Sequence, residues 1–411
     1  MKKKLTLPVQ ILIALILGVI TGAICSVTGN ANFSTVFLKP FGDIFVNLLK
    51  FIVVPVVLLS MIEGILSMGN MRQVGAIGWK TIVYFTSTTA IACVIGLVLG
   101  TLFNNAGLFP VLEPEVLYEP TKFEGFMSVL VNMFPSNLWK AFFDANMLQV
   151  IVIALMFGGA ILTVGEKGKL CRDLISSMYA VVDQLMGFII RLSPIGVFTY
   201  MAWVVATQGA AILGSLALVL LCAYIGYIIH AVVVYSTAVR VFAKISPLTF
   251  FKGAAAAMMF GFTSTSSAAT LPVSKECAEN LGADKDVAAF VLPLGATINM
   301  DGTAIYQCVT AIFLATCVGM HLTLAQMVTI VITATLASVG TAGTPGSGLI
   351  MLTMVLSALG IPVTYIGLIL AVDRLFDMGR TCMNITGDIS CSLCVTHWQR
   401  KAAERKAKKA C

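Results

Sequence analysis

Six apolar runs, at 9–27, 44–68, 81–103, 148–164, 181–206 and 211–241, constrain this chain more than any other feature. Each is about as long as a helix that crosses a bilayer, which takes roughly 17–25 predominantly apolar residues. Composition agrees: 58% of the 411 residues are apolar and 11% charged, against roughly 45–50% and about 25% in soluble domains. The expected fold class is an all-α polytopic membrane protein. The Met-Lys-Lys-Lys start looks like a signal-peptide n-region. Many further spans follow it and no small-residue cleavage site is evident, so the first run is read as a retained helix.

Charge placement sets the orientation, because Lys and Arg collect in short cytoplasmic loops. With the N-terminus inside, segments 1–7, 68–80, 164–173, 240–252, 275–286 and 395–411 also fall inside. Together they hold 19 of the 26 Lys and Arg. Segment 104–146 then falls outside, with two Lys against five acids. Both termini are expected in the cytoplasm, and the host bilayer is the plasma (inner) membrane. The basic stretch 400–409 is expected to face anionic lipid rather than nucleic acid. Eleven cysteines suggest no disulfide framework, since six lie in apolar segments, where Cys packs as a small hydrophobe. Cys391 and Cys394 form a CxxC without a second pair, which does not make a metal site.

The region 105–149, with Pro110, Pro114, Pro120 and Pro135, reads as an extracellular loop with broken helix pieces. Beyond Arg240 the pattern changes. Two segments are apolar enough for the membrane but are interrupted by small and polar residues: GFTSTSSAATLP (261–272) and SVGTAGTPGSG (338–348). Their apolar arms are too short to span alone. Non-helical backbone at membrane depth persists only when buried in protein or lining a wet cavity, so each reads as a hairpin that enters and returns on one side. A polar helix follows each. Thr263 to Asn299 is 36 residues and Gly340 to Asp377 is 37, a weak internal repeat. Paired interrupted segments of inverted topology point to a binding site near the midplane.

The densest polar stretch is 373–388, DRLFDMGRTCMNITGD. It is either a solvated loop or a membrane helix built around a polar site. At 100° per residue, Asp373, Asp377, Arg380, Asn384 and Asp388 fall within about 80° of one another, on a stripe roughly 22 Å long. Leu375, Met378 and Cys382 occupy the other face. A loop has no reason to align its charges, whereas a helix facing a polar interior does, and charges at membrane depth usually mark a pathway or partner. A structural ion-pair ladder is the plainer alternative. NMDGT (299–303) adds a second buried carboxylate, Asp301, and Gly302 is expected to unwind the helix there. Freed carbonyls and carboxylates are ligands for a hard cation such as Na⁺. Asp377 suits an ammonium and Arg380 a carboxylate. An acidic amino acid satisfies both.

TSTSSAATLP (263–272), NMDGT (299–303), GTAGTPGSG (340–348) and DMGRTCMNITGD (377–388) resemble, in this order, the dicarboxylate/amino acid:cation symporter family. NMLQVIVIALMFG (146–158) and SPIGVF (193–198) extend the likeness over nearly the whole chain. The resemblance implies the glutamate-transporter fold, with eight transmembrane helices and two re-entrant helical hairpins in inverted repeats. It implies a homotrimer. Residues 1–76 (helices 1 and 2) and 105–210 (extracellular loop, helices 4 and 5) would form a scaffold. Residues 77–104 (helix 3) and 211–395 (helix 6, hairpin 1, helix 7, hairpin 2, helix 8) would form a transport unit that slides like an elevator, and 396–411 a basic cytoplasmic tail.

Carried over by position, substrate contacts are Ser266 and Ser267 at the first tip, Thr303, and Gly343, Thr344 and Gly348 at the second tip. Asp373, Asp377, Arg380, Thr381 and Asn384 complete them, with Asp377 on the amino group and Arg380 on the side-chain carboxylate. One sodium site would use Gly295, Asn299 and Asn384 carbonyls with the Asp388 carboxylate. A second would use Thr297, Ser338, Val339 and Thr341 near the sulfur of Met300. A third would use Asp301, the Asn299 side chain, Thr88 and Thr89. Three positions depart from the family pattern: Phe85 where many members have Tyr, Thr265 where some have Arg, and Thr344 where a small aliphatic residue is usual.

The function expected is Na⁺-coupled uptake of aspartate or glutamate, with no enzymatic activity. An H⁺-coupled carrier, or one for neutral amino acids or C4-dicarboxylates, is the alternative within the same fold. An intramembrane aspartyl protease would leave Arg380 and the hairpin polar groups without a role. A serine hydrolase lacks a histidine near the Ser-rich tip in sequence. A cation channel would not need an Asp/Arg pair.

Overall fold

The apolar runs are helices. The computed structural model describes residues 7–67, 76–112, 131, 134–144, 146–209, 211–338, 346–370 and 372–410. Among these residues regular structure is helical, with no strand. The helices are α1 (Leu7–Val27), α2 (Lys39–Ser67), α3 (Ala76–Asn105), α4 (Met147–Val164), α5 (Lys169–Arg191), α6 (Ser193–Gln208) and α7 (Ala211–Ile229). The axis of α7 continues through π turns at His230–Tyr235 and Val239–Ala243. Then come α8 (Pro247–Ser264), α9 (Ser267–Asn280), α10 (Lys285–Ile298), α11 (Asp301–Cys317), α12 (Leu324–Ser338), α13 (Ser347–Leu359), α14 (Ile366–Leu370) and α15 (Asp373–Ala410). Five helical stretches among the described residues are long and apolar enough to cross a membrane: Val9–Val27, Ile77–Asn105, Val152–Arg191, Ile212–Ala243 and Lys285–Cys317.

One expected span is divided. The run 181–206 belongs to two helices, because α5 ends at Arg191 and α6 opens at Ser193 with Pro194 in its first turn. Proline has no N–H to give to the preceding turn. The apolarity continues across Leu192, but the helix does not.

Two pairs of glycines sit at close helix contacts. On α1, a Cβ at Gly18 would stand 2.7 Å from the Phe198 carbonyl oxygen and one at Gly22 2.6 Å from that of Ala202, both on α6. On α3, Gly96 and Gly100 face Cys308 and Ile312 of α11 in the same way. A small residue every fourth position lets two backbones approach where lipid gives no hydrophobic push. α2 packs on α4, α5 and α6. In the other half of the chain, α11 is buried at every residue from Asp301 to Cys317, and α3, α7, α12, α13 and α15 pack around it.

The interrupted segments break where the sequence places small and polar residues. Ser246 caps α8 by accepting from the Thr249 amide at 3.2 Å. α8 ends as Thr265 turns left-handed, with φ of 54°. Ser266 then caps α9 by accepting from the Ala269 amide, and α9 folds back on α8. The α10–α11 break falls at Asn299 and Met300, three and two residues before Gly302. The helix opens within NMDGT as expected, but at these two residues rather than at Gly302. Gly302 lies in the first turn of α11, where any Cβ would collide with the Arg380 backbone. At the second interruption α12 stops at Ser338 and α13 starts at Ser347. Val339, Thr341, Gly343 and Thr344 lie outside the described residues.

Candidate functional site

The stripe of the last helix faces inward. Asp373, Asp377, Arg380, Thr381, Asn384 and Asp388 are all buried, while Leu375, Met378 and Cys382 on the other face are half-buried. Arg380 is held by its own helix. Its Nη1 donates to Asp373 Oδ1 and its Nε to Asp377 Oδ1, each at 3.0 Å. Arg380 is thus paired with both Asp373 and Asp377, while Asn384 turns to Gly302 and Met300. The guanidinium carbon stands 4.8 Å from the centre of the Tyr306 ring, within cation–π range. Gly348 of α13 passes so close that any Cβ there would strike the guanidinium. Arg380 Nη2 is buried and has no hydrogen-bond partner.

Asp377 collects further donors. Thr381 Oγ1 donates to Oδ1 at 3.4 Å, and the Gly346 amide at the start of α13 donates to Oδ2 at 3.3 Å. This ties the second interrupted segment to the stripe. Ser267 and Thr303 are buried. Thr303 Oγ1 donates to the Met300 sulfur at 3.6 Å.

Asn384 and Asn299 join α15 to the α10–α11 break. Asn384 Oδ1 accepts from the Gly302 amide at 2.8 Å, and its Nδ2 contacts the Met300 sulfur at 3.2 Å. Asn299 Nδ2 donates to the Asn384 carbonyl at 2.8 Å and to Asp388 Oδ1 at 2.9 Å. Asn299 Oδ1 is left buried without a donor. Gly295 gives the Asp388 carboxylate room, since a Cβ there would overlap it. A buried, unpartnered amide oxygen beside a buried carboxylate fits a hard cation, which takes oxygen ligands. Thr297 donates to the Leu294 carbonyl at 2.9 Å.

The expected third cation set is gathered only in part. Thr89 Oγ1 donates to Asp301 Oδ1 at 2.6 Å, but Thr88 Oγ1 donates to the Phe85 carbonyl and the Asn299 amide turns to Asp388. Asp301 has two partners that the sequence reading missed. Tyr235 donates to Oδ2 at 2.8 Å, and His230 Nε2 lies 3.2 Å from the same oxygen. The available signal was a histidine and a tyrosine inside an apolar run, since an ionisable residue at membrane depth marks a site by default.

Comparison with known proteins bears on the family of the chain. The model of the sodium:dicarboxylate symporter family matches residues 7–398. The proton/sodium-glutamate symport protein of Geobacillus stearothermophilus is 31% identical, over 99% of this chain and 97% of its own. The protein of the same description from Bacillus subtilis (strain 168) is 31% identical over 96% and 93%. The C4-dicarboxylate transport protein of Anaeromyxobacter sp. (strain K) is likewise 31% identical, over 98% and 92%.

Proposed function

The chain belongs to the sodium:dicarboxylate symporter family, and from that premise we propose that it couples inward Na⁺ flow to uptake of aspartate or glutamate. As a member it is an integral membrane symporter and not an enzyme. One observation carries the substrate reading: Arg380 is buried between Asp373 and Asp377 with Nη2 unpartnered. A ligand carboxylate would take the guanidinium as a fork, while an ammonium would take Asp377. A C4-dicarboxylate has no ammonium to offer Asp377, which is then left to Arg380 and to Arg374, 3.5 Å from its Oδ2. Ser266 and Ser267 at the first tip, Thr303, Gly348, Thr381 and Asn384 would close the pocket, with Gly343 and Thr344 from the second tip.

The coupling ions would use Asn299 Oδ1, the Gly295 and Asn384 carbonyls and Asp388 in one site. Thr297, Met300, Ser338, Val339 and Thr341 would make a second, and Asp301, Asn299, Thr88 and Thr89 a third. The fold reading is eight spans plus two re-entrant hairpins, α8–α9 and α12–α13, with both termini cytoplasmic. α1, α2, α4, α5 and α6 form the scaffold, and α3 and α7–α15 move as an elevator. Packing that is heavier within each set than between them supports this division. Leu174, Met178, Val181 and Phe188 form an exposed apolar stripe on α5 at the 4-3-7 spacing of a heptad seam, which supports self-association; the number of copies proposed is three. A one-copy mass in nanodiscs would sink the trimer.

The test is uptake of labelled L-aspartate into proteoliposomes under an inward Na⁺ or an inward H⁺ gradient, with unlabelled glutamate, serine or succinate as competitors. Na⁺-dependent uptake blocked by glutamate is expected. Uptake driven by H⁺ alone removes the sodium assignment and keeps the substrate. Transport of succinate or serine in place of aspartate overturns the roles of Asp377 and Arg380.

A further inference from the structure

His230 is a fully buried histidine whose Nε2 touches one oxygen of Asp301, and Tyr235 donates to that same oxygen. In an α-helix, residues five apart diverge by about 140° and cannot share one acceptor. Here they can, because His230–Tyr235 is a π turn. Its i→i+5 bonding brings Tyr235 round to the face of His230. The two rings meet edge to face, with centroids 4.8 Å apart. π turns inside α-helices recur at functional sites.

The rest of the surroundings fixes which oxygen is left. Oδ2 of Asp301 carries both Tyr235 and His230, while Oδ1 points to Thr89 on α3. Tyr235 also donates to the Met383 carbonyl of α15 at 3.2 Å. Any Cβ at Gly387 would meet the Tyr235 hydroxyl and the Asn299 amide together, so Tyr235 abuts the Asn299–Asp388 site as well. Nδ1 of His230 has no partner, so a neutral ring that donates to Asp301 carries its proton on Nε2.

We propose that His230 and Tyr235 are positioning residues for ion coupling: from one π turn they pin Oδ2 of Asp301 and present Oδ1, on the Thr89 side, to the cation. The proposal rests on the reading of Asp301 as a cation ligand. Groups that hold a ligand in place typically contribute 10–100-fold to metal affinity. A residue that only packs would leave the ion requirement untouched.

The experiment titrates Na⁺ in proteoliposomes holding the full-length chain, with labelled L-aspartate, for wild type, Asp301→Asn, Tyr235→Phe, His230→Leu and His230→Gln. Tyr235→Phe and His230→Leu are expected to raise half-saturating Na⁺ about tenfold or more. The aspartate KM measured at saturating Na⁺ should stay within about twofold, and His230→Gln, which keeps a donor, should recover most of the loss. Tyr235→Phe removes a single oxygen and keeps the test readable if His230→Leu does not assemble. If Asp301→Asn shifts the Na⁺ dependence and neither Tyr235→Phe nor His230→Leu does, the positioning role is wrong while Asp301 remains a ligand. If Asp301→Asn shifts nothing, the ligand reading falls and the positioning role falls with it.

Discussion

Arg380 has five N–H donors, and two buried carboxylates accept from it. Truncating one member of a buried charged pair costs about 2–5 kcal/mol. Arg380→Cys should therefore weaken aspartate uptake at least ~30-fold, since 1.4 kcal/mol is tenfold. It should also leave room for serine, which needs Asp377 and no guanidinium. Competition curves for the two amino acids check this; unchanged aspartate affinity would remove Arg380 from the pocket. Thr265 poses a different question. A β-branched residue at φ of 54° is strained by about 1–3 kcal/mol, at a turn where glycine would be relaxed. Thr265→Gly is expected to raise the thermal midpoint in detergent. A fall would mean that the Thr265 hydroxyl, which donates to the Ser264 carbonyl at 2.7 Å, outweighs the strain.

At the scale of elements, α1 and α6 depend on Gly18 and Gly22. Leucine at Gly22 would drive its side chain into the Ala202 backbone, and overpacking of this kind costs about 1–3 kcal/mol. Gly22→Leu should lower the thermal midpoint, while the equivalent change at the open Gly159, with nothing within 4 Å of a Cβ, should not. The elements also differ in how plainly the sequence announces them. The α15 stripe is legible because an ordinary α-helix carries it, so the 100° rule lines up Asp373, Asp377, Arg380, Asn384 and Asp388. The α10–α11 break is legible as a region but not to the residue. Gly302 marks a close approach to Arg380, and the chain actually opens at Asn299. His230 and Tyr235 are illegible to the same rule, because the π turn moves them onto a common face that the α-helical period denies. The division at Leu192 is hidden by apolarity, which continues unbroken while Pro194 ends the helix.

For the whole molecule, the proposed elevator requires two bodies that slide. Gly367 of α14 lies against the Tyr200 ring of α6, a contact between the two sets. In a cysteine-free background, Tyr200→Cys with Gly367→Cys should be bridged by Hg²⁺. Bridging should arrest uptake but leave aspartate binding measurable by equilibrium titration. Continued uptake by the bridged protein would rule out sliding at this contact. The internal clamp on Arg380 bears on the molecule's journey as well. In the proposed elevator the pocket returns empty between deliveries, and its guanidinium has counter-ions of its own in Asp373 and Asp377. An arriving carboxylate therefore finds Nη2 free and must compete with sitting occupants for the rest of the fork. It is judged against Asp373 and Asp377 rather than against water, so discrimination among anions is a contest held inside the protein.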